Sequence, residues 1–247
     1  MTNFGASAYI TTQEVVSLVR ELQAGNLPDL VIFYDGMNDT FGTFQRGGVA
    51  GLPQNESNRV REFNLLLPPN SKRLYKESLL MILNNSATYQ VLRSLVRRAT
   101  RHELPSRLIW DDDSFMRPTV DKVANEAART YAWNVSFVRS ISAAYGFESL
   151  FYWQPAIFSK DKLTAYEQEV RKREKYLEGY YDATTNRVKA ELPNTGKFHD
   201  ISGIFKGDGR PHFIDGAHLS ESGNEIVAGR IVKDVAPLIQ KLNARRR

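Results

Sequence analysis

Between residues 11 and 39 the chain changes its apolar period twice, and this constrains the fold more than any other feature. Val15, Leu18, Val19 and Leu22 stand at i, i+3, i+4 and i+7, the spacing of one apolar helix face. Thr11 and Glu14 have capping-box spacing, and Gly25 suits the C-terminal stop, so a helix is expected over 11–24. After "NLPD" comes "LVIFY", Leu30 to Tyr34, which is apolar at every position. Such a run reads as a strand buried on both faces, as in a parallel sheet. It stops at once in Gly36-Met37-Asn38-Asp39.

The alternation continues. Residues 40–70, rich in Gly, Asn and Gln, read as irregular and as an active-site loop insertion, because long loops in compact domains are usually functional. Helix spacing returns at 72–83 and 87–101, broken at "NNS" with Ser86 as a cap, and again from Thr119 to about Tyr145. "FESLFYWQP" is the next buried strand, ended by Pro155. Residues 160–190 form a charged, Tyr-bearing helical stretch on the rim, and "HDISGIF" and "PHFIDG" are short extended pieces. A last helix runs from about Ser222 to Leu242, with Ser222 and Glu225 at capping-box spacing. Helix alternating with buried strand predicts an α/β sandwich around a mostly parallel sheet, with working residues beyond the carboxyl ends of the strands. No repeat or strong linker marks a second domain, so 1–247 is expected to be one domain.

Composition excludes several chemistries. With no Cys, thiol catalysis, disulfides and Cys-ligated zinc are out. The run Asp111–Asp113 is not expected to hold a metal, because consecutive carboxylates point in different directions. "MTNFGASAYITT" has neither the basic start nor the apolar core of a signal peptide, and no apolar run is long enough to span a membrane. The formal net charge of +5 gathers in "RSLVRRATRH" and the "ARRR" tail, which read as a solvated face and a tail, so no nucleic-acid partner is expected.

Asp215 and His218 in "FIDGAHLSESGNEIV" are separated by two residues, just before the last helix. A loop Asp-x-x-His brings a carboxylate within reach of an imidazole, which can then serve as a general base through its other nitrogen. The motif alone is weak. Joined to Gly-x-Asn-Asp after a buried strand, and to "NFGASAYITTQEV" (Asn3 to Val15) entering a helix, it resembles the blocks of the SGNH/GDSL hydrolases, in the right order over nearly the whole chain.

The resemblance implies a fold and roles. The fold would be a three-layer α/β/α sandwich with a mostly parallel, flavodoxin-like sheet (the SGNH hydrolase fold), lacking its first strand or strands. Asp215 and His218 would complete a Ser-His-Asp triad, and Asn38 and the backbone N–H of Ala8 would donate to the oxyanion. The family has a glycine where Ala8 stands; an alanine keeps the N–H, provided the turn does not require positive φ. Gly5, Gly36 and Asp39 would support these turns. The family's nucleophilic serine precedes the Asn3 block, so the chain is expected to be an N-terminally truncated member. The leading expectation is an esterase or deacylase needing no metal or organic cofactor, acting on a small, lipid or acylated carbohydrate ester. Tyr34, Tyr152 and Trp153 fit a sugar or acyl pocket, or equally a core. The rivals are an acyltransferase on the same residues and a non-catalytic carbohydrate-binding or interaction module.

Overall fold

The computed structural model describes residues 2–54, 86, 89, 117–192 and 197–245. The chain divides into two compact units, Met1–Gln54 with Pro118–Arg247, and Asn55–Arg117. The first unit is mixed α/β. The readings over 72–83, 87–101 and Asp111–Asp113 lie outside the described residues, apart from Ser86 and a helical Tyr89.

In chain order the elements are α1 (Thr11–Gln23), β1 (Leu30–Asp35), α2 (Met37–Gln45), α3 (Val120–Tyr145), β2 (Glu148–Trp153), α4 (Ala165–Arg173), α5 (Glu178–Glu191), β3 (Phe198–Asp200) and α6 (Glu221–Arg245). The three strands form one parallel sheet in the order β1-β2-β3. Leu30 pairs with Glu148 and Asp35 with Trp153, while Phe151 to Trp153 pair with Phe198 to Asp200. Parallel neighbours need long crossovers, so every strand runs the same way and all three carboxyl ends lie along one edge.

Side chains alternate across the sheet. On one face Phe33, Phe151, Trp153 and Phe198 pack with Val15 and Leu18 of α1, Ala128, Tyr131, Val135 and Val138 of α3, and Val188 of α5. On the other, Leu150 and Tyr152 pack with Ile157, Phe205, Phe213, and Val227 and Val235 of α6. Trp153 is fully buried, edge-on to Tyr131 at 5.0 Å, and its Nε1 donates to Thr185 Oγ1 at 3.0 Å. Burying aromatic side chains of this size contributes roughly 1.5–3 kcal/mol each. Tyr152 and Trp153 are therefore core, not pocket wall.

Local rules account for the helix ends. The α1 terminus is a Schellman motif: Gly25, at φ +84°, donates to Leu22 O (3.1 Å), and Asn26 N donates to Glu21 O (2.9 Å). Thr119 Oγ1 accepts from Lys122 N at 3.3 Å to open α3, and Gly146, at φ +77°, closes it.

Four expectations need correction. β1 is not buried on both faces: Ile32 and Tyr34 are 39% and 36% exposed. Elements described on that side pack over Leu150 and Tyr152 of β2, and β1 has one neighbour among the described strands. Thr11 is not the cap of α1 but its first residue, after Ile10. Residues 40–45 belong to helix α2; 46–54 follow in turns, and 55–70 lie outside the described residues. Finally, α6 starts at Glu221, and Ser220, not Ser222, accepts from a first-turn amide, that of Gly223 at 3.3 Å.

Candidate active site

The Asp215–His218 pair sits at the tip of a closed loop. Ser220 N donates to His212 O (2.7 Å), Ile214 N donates to His218 O (2.9 Å), and Phe213 and Leu219 form an antiparallel bridge. Between these rungs the chain must turn tightly. Asp215 Oδ1 takes the backbone N–H groups of Ala217 and His218, at 2.9 and 2.7 Å. That leaves Oδ2 to meet His218 Nδ1 at 2.7 Å. Partial burial works to raise the Asp215 carboxyl, but the backbone N–H groups of His218 and Ala217 and the imidazole outweigh it and hold the carboxyl below its ordinary range. His218 is 76% exposed along its side chain, with Asp215 as its partner.

Packing fixes the base of this loop. Gly223, in the first turn of α6, lies so close that a Cβ there would stand 2.7 Å from His212 O, so any larger residue would push helix and loop apart. Gly216 O accepts from Ile157 N at 3.0 Å, which ties the tip to the segment following β2.

The Gly-Met-Asn-Asp stretch is a helix start rather than a plain turn. Gly36 caps α2 with φ +145°, a conformation open to glycine. A Cβ on it would also meet Gln154 Cγ at 3.1 Å and the Trp153 ring at 3.2 Å. Asn38 is half-buried in the first turn of α2; its Oδ1 accepts from Gln54 Nε2 at 3.2 Å, and its amide nitrogen has no partner among the described residues. Asp39 turns inward. Its carboxylate accepts the Thr11 hydroxyl at 2.7 Å and the Thr11 backbone N–H at 3.2 and 3.3 Å, so it serves as the missing cap of α1.

Asp39 shares its buried niche with Asp35 and, at the margin, Glu14. Burial pushes Asp39 up to about 7, against the Thr11 hydrogen bonds that pull it down. Burial, then the charges of Glu14 and Asp39, push Asp35 well above the carboxylate range, and burial raises Glu14. Like charges in a dry niche oppose one another's ionisation.

Ala8 departs from expectation. It is the one non-glycine residue at positive φ among the described residues, at +62°, in a turn closed by Tyr9 N to Ala6 O (3.2 Å). The turn therefore does require positive φ, the condition under which an alanine is strained. Gly5, by contrast, needs no such freedom; its N–H donates to Asn3 Oδ1 at 2.8 Å.

The structure thus brings Asp215 to His218 directly, and brings the start of α1 to the start of α2 through Thr11 and Asp39. Both sets lie at the carboxyl edge of the sheet. Gly36 abuts Trp153 and Gln154 after β1, and Gly216 bonds Ile157 after β2. The sequence does not single out Lys160, Glu167, His212 and Gln54. "LTAYE" does carry capping-box spacing, and Thr164 and Glu167 form that box, but the further duty of Glu167 depends on residues far along the chain. Among the described residues no three His, Asp or Glu side chains group as metal ligands, and no helix is long and apolar enough to cross a membrane. No family model matches the chain, and no curated protein matches it.

Proposed function

We propose that this chain is an SGNH/GDSL-type ester hydrolase domain. The observation that carries the reading is the Asp215–His218 pair: a 2.7 Å contact to Nδ1 from an exposed imidazole on a loop tip at the carboxyl edge of a parallel sheet. In this reading a serine hydroxyl, which none of the residues named here supplies, attacks an acyl carbonyl while His218 Nε2 takes its proton. Asp215 stabilises the imidazolium, and the Asn38 amide holds the oxyanion together with the Ala8 N–H, which the alanine presents from a strained left-handed φ. The proton then passes from His218 to the departing alkoxide, and water completes the cycle by the same route. The uncommitted amide nitrogen of Asn38 supports its role.

The fold proposed with this function is the flavodoxin-like three-layer sandwich. Helices on both faces of the sheet support it.

The test is hydrolysis of p-nitrophenyl acetate by the purified chain, beside a His218→Ala control. Turnover abolished in the control supports the reading; turnover unchanged by it overturns the role of His218. A second reading, a non-catalytic binding module, has one observation in its favour: among the described residues no hydroxyl bonds His218, and Ser220 and Ser222 are spent on Pro211 O and on each other. It predicts no turnover but saturable binding of an acylated carbohydrate. An acyltransferase would use the same residues, and product analysis with a competing alcohol separates it from a hydrolase.

A further inference from the structure

The first turn of α4 grips the loop that carries Asp215 and His218. Tyr166 OH donates to Ile214 O at 2.6 Å. Glu167, fully buried, uses both carboxylate oxygens. Oε1 accepts the backbone N–H groups of His212 and Phe213, at 2.9 and 3.3 Å. Oε2 accepts from Lys160 Nζ at 2.5 Å and from Thr164 N and Oγ1 at 2.9 and 3.1 Å. Lys160 is itself buried, and its ammonium also donates to Arg210 O at 2.5 Å. Three consecutive residues of the outgoing arm, His212 to Ile214, and Arg210 before them are thereby fixed from one helix end and its counter-charge.

A buried ion pair is a poor way to gain stability, since well-packed apolar residues often do as well or better. What an apolar pair cannot do is accept the N–H groups of His212 and Phe213. Those two amides set where the arm lies, and Asp215 follows two residues later. Its two backbone hydrogen bonds and its contact with His218 all depend on the chain entering the turn at that position.

We infer that Glu167 is a positioning residue for the Asp215–His218 pair, with Lys160 as its counter-charge. This rests on the reading of that pair as catalytic. Glu167 sets the direction from which Asp215 meets Nδ1, and so which imidazole nitrogen carries the proton and which is left to act as base. It touches neither the pair nor a substrate, so its effect is transmitted through the backbone.

The test reads the tautomer of His218 by long-range nitrogen–proton NMR on the full chain labelled with ¹⁵N-histidine, at pH about 9, where a histidine ring is ordinarily neutral. The wild type is expected to hold His218 as the Nδ1–H form, donating to Asp215, and Asp215→Asn to abolish that preference. Glu167→Asp keeps the charge beside Lys160 but withdraws the acceptor from His212 and Phe213. Lys160→Met with Glu167→Leu removes both charges and the acceptor. Both variants, folded by circular dichroism, are expected to lower the Nδ1–H population at least about threefold, as a group that directs Asp215 through its hydrogen bonds should. Glu167→Gln, which keeps an acceptor oxygen at full length, is expected to retain it. Retention of the Nδ1–H form in either of the first two variants would overturn the proposal. The readout needs no turnover, so a chain without esterase activity leaves it standing, whereas a wild type lacking the Nδ1–H form would count against the catalytic pair itself.

Discussion

The Asp39 carboxylate accepts both the hydroxyl and the backbone N–H of Thr11, a residue 28 positions earlier. Through this one side chain the first turn of α1 and the first turn of α2 become a single unit. Removing the carboxylate in Asp39→Ala leaves buried donors unpaired and should destabilise the chain by about 1–3 kcal/mol. Thr11→Ala should cost about 1 kcal/mol, since Asp39 retains the backbone bond. Urea unfolding of the two variants checks the ranking.

The same niche makes stability depend on pH. Asp39 and Asp35 are raised in the folded chain, so the folded state binds protons more tightly than the unfolded state between the two carboxyl ranges. Stability from this niche is therefore greatest at low pH and is lost as pH rises from about 4 through about 7. Asp39→Asn should flatten that dependence, because an amide still accepts from Thr11 and carries no charge. The urea midpoint measured across this window, for wild type and variant, is the check. A midpoint that climbs with pH in the wild type would refute the assignment.

Two backbone positions should respond in opposite senses. Gly36→Ala combines a strained φ with contacts near 3.1 Å to Gln154, and is expected to destabilise by about 2 kcal/mol or more. Ala8→Gly relieves a left-handed alanine and should stabilise, or at worst leave unchanged, by up to about 1 kcal/mol. Thermal melts of the two variants against wild type test both signs.

Lys160→Met alone strands the Glu167 carboxylate in the core and should destabilise by about 3–5 kcal/mol. Lys160→Met with Glu167→Leu removes the stranded charge and should recover much of that loss. A double variant less stable than the single one would show that the acceptor role of Glu167 outweighs the cost of its buried charge.

Helix positions were legible because their signals are local. The apolar spacing of α1 and the Gly25 stop each act within a few residues of the position they determine. The Asp-x-x-His pair was legible for the same reason: both partners lie in one turn, so spacing alone brings them together. β1 was misread as buried on both faces because composition reports what a strand could bury, while its cover depends on which elements pack beside it.

The sequence by itself determined the alternation of helix and strand, the parallel sheet it requires, and the contact between Asp215 and His218. Only the tertiary structure decided that Asp39 caps α1, that Ala8 stands in a left-handed turn, and that Glu167 holds a loop 45 residues away. The physical reason is one of range. Periodicity and capping are satisfied between near neighbours, whereas a buried carboxylate must take its donors from whatever backbone the fold brings to it.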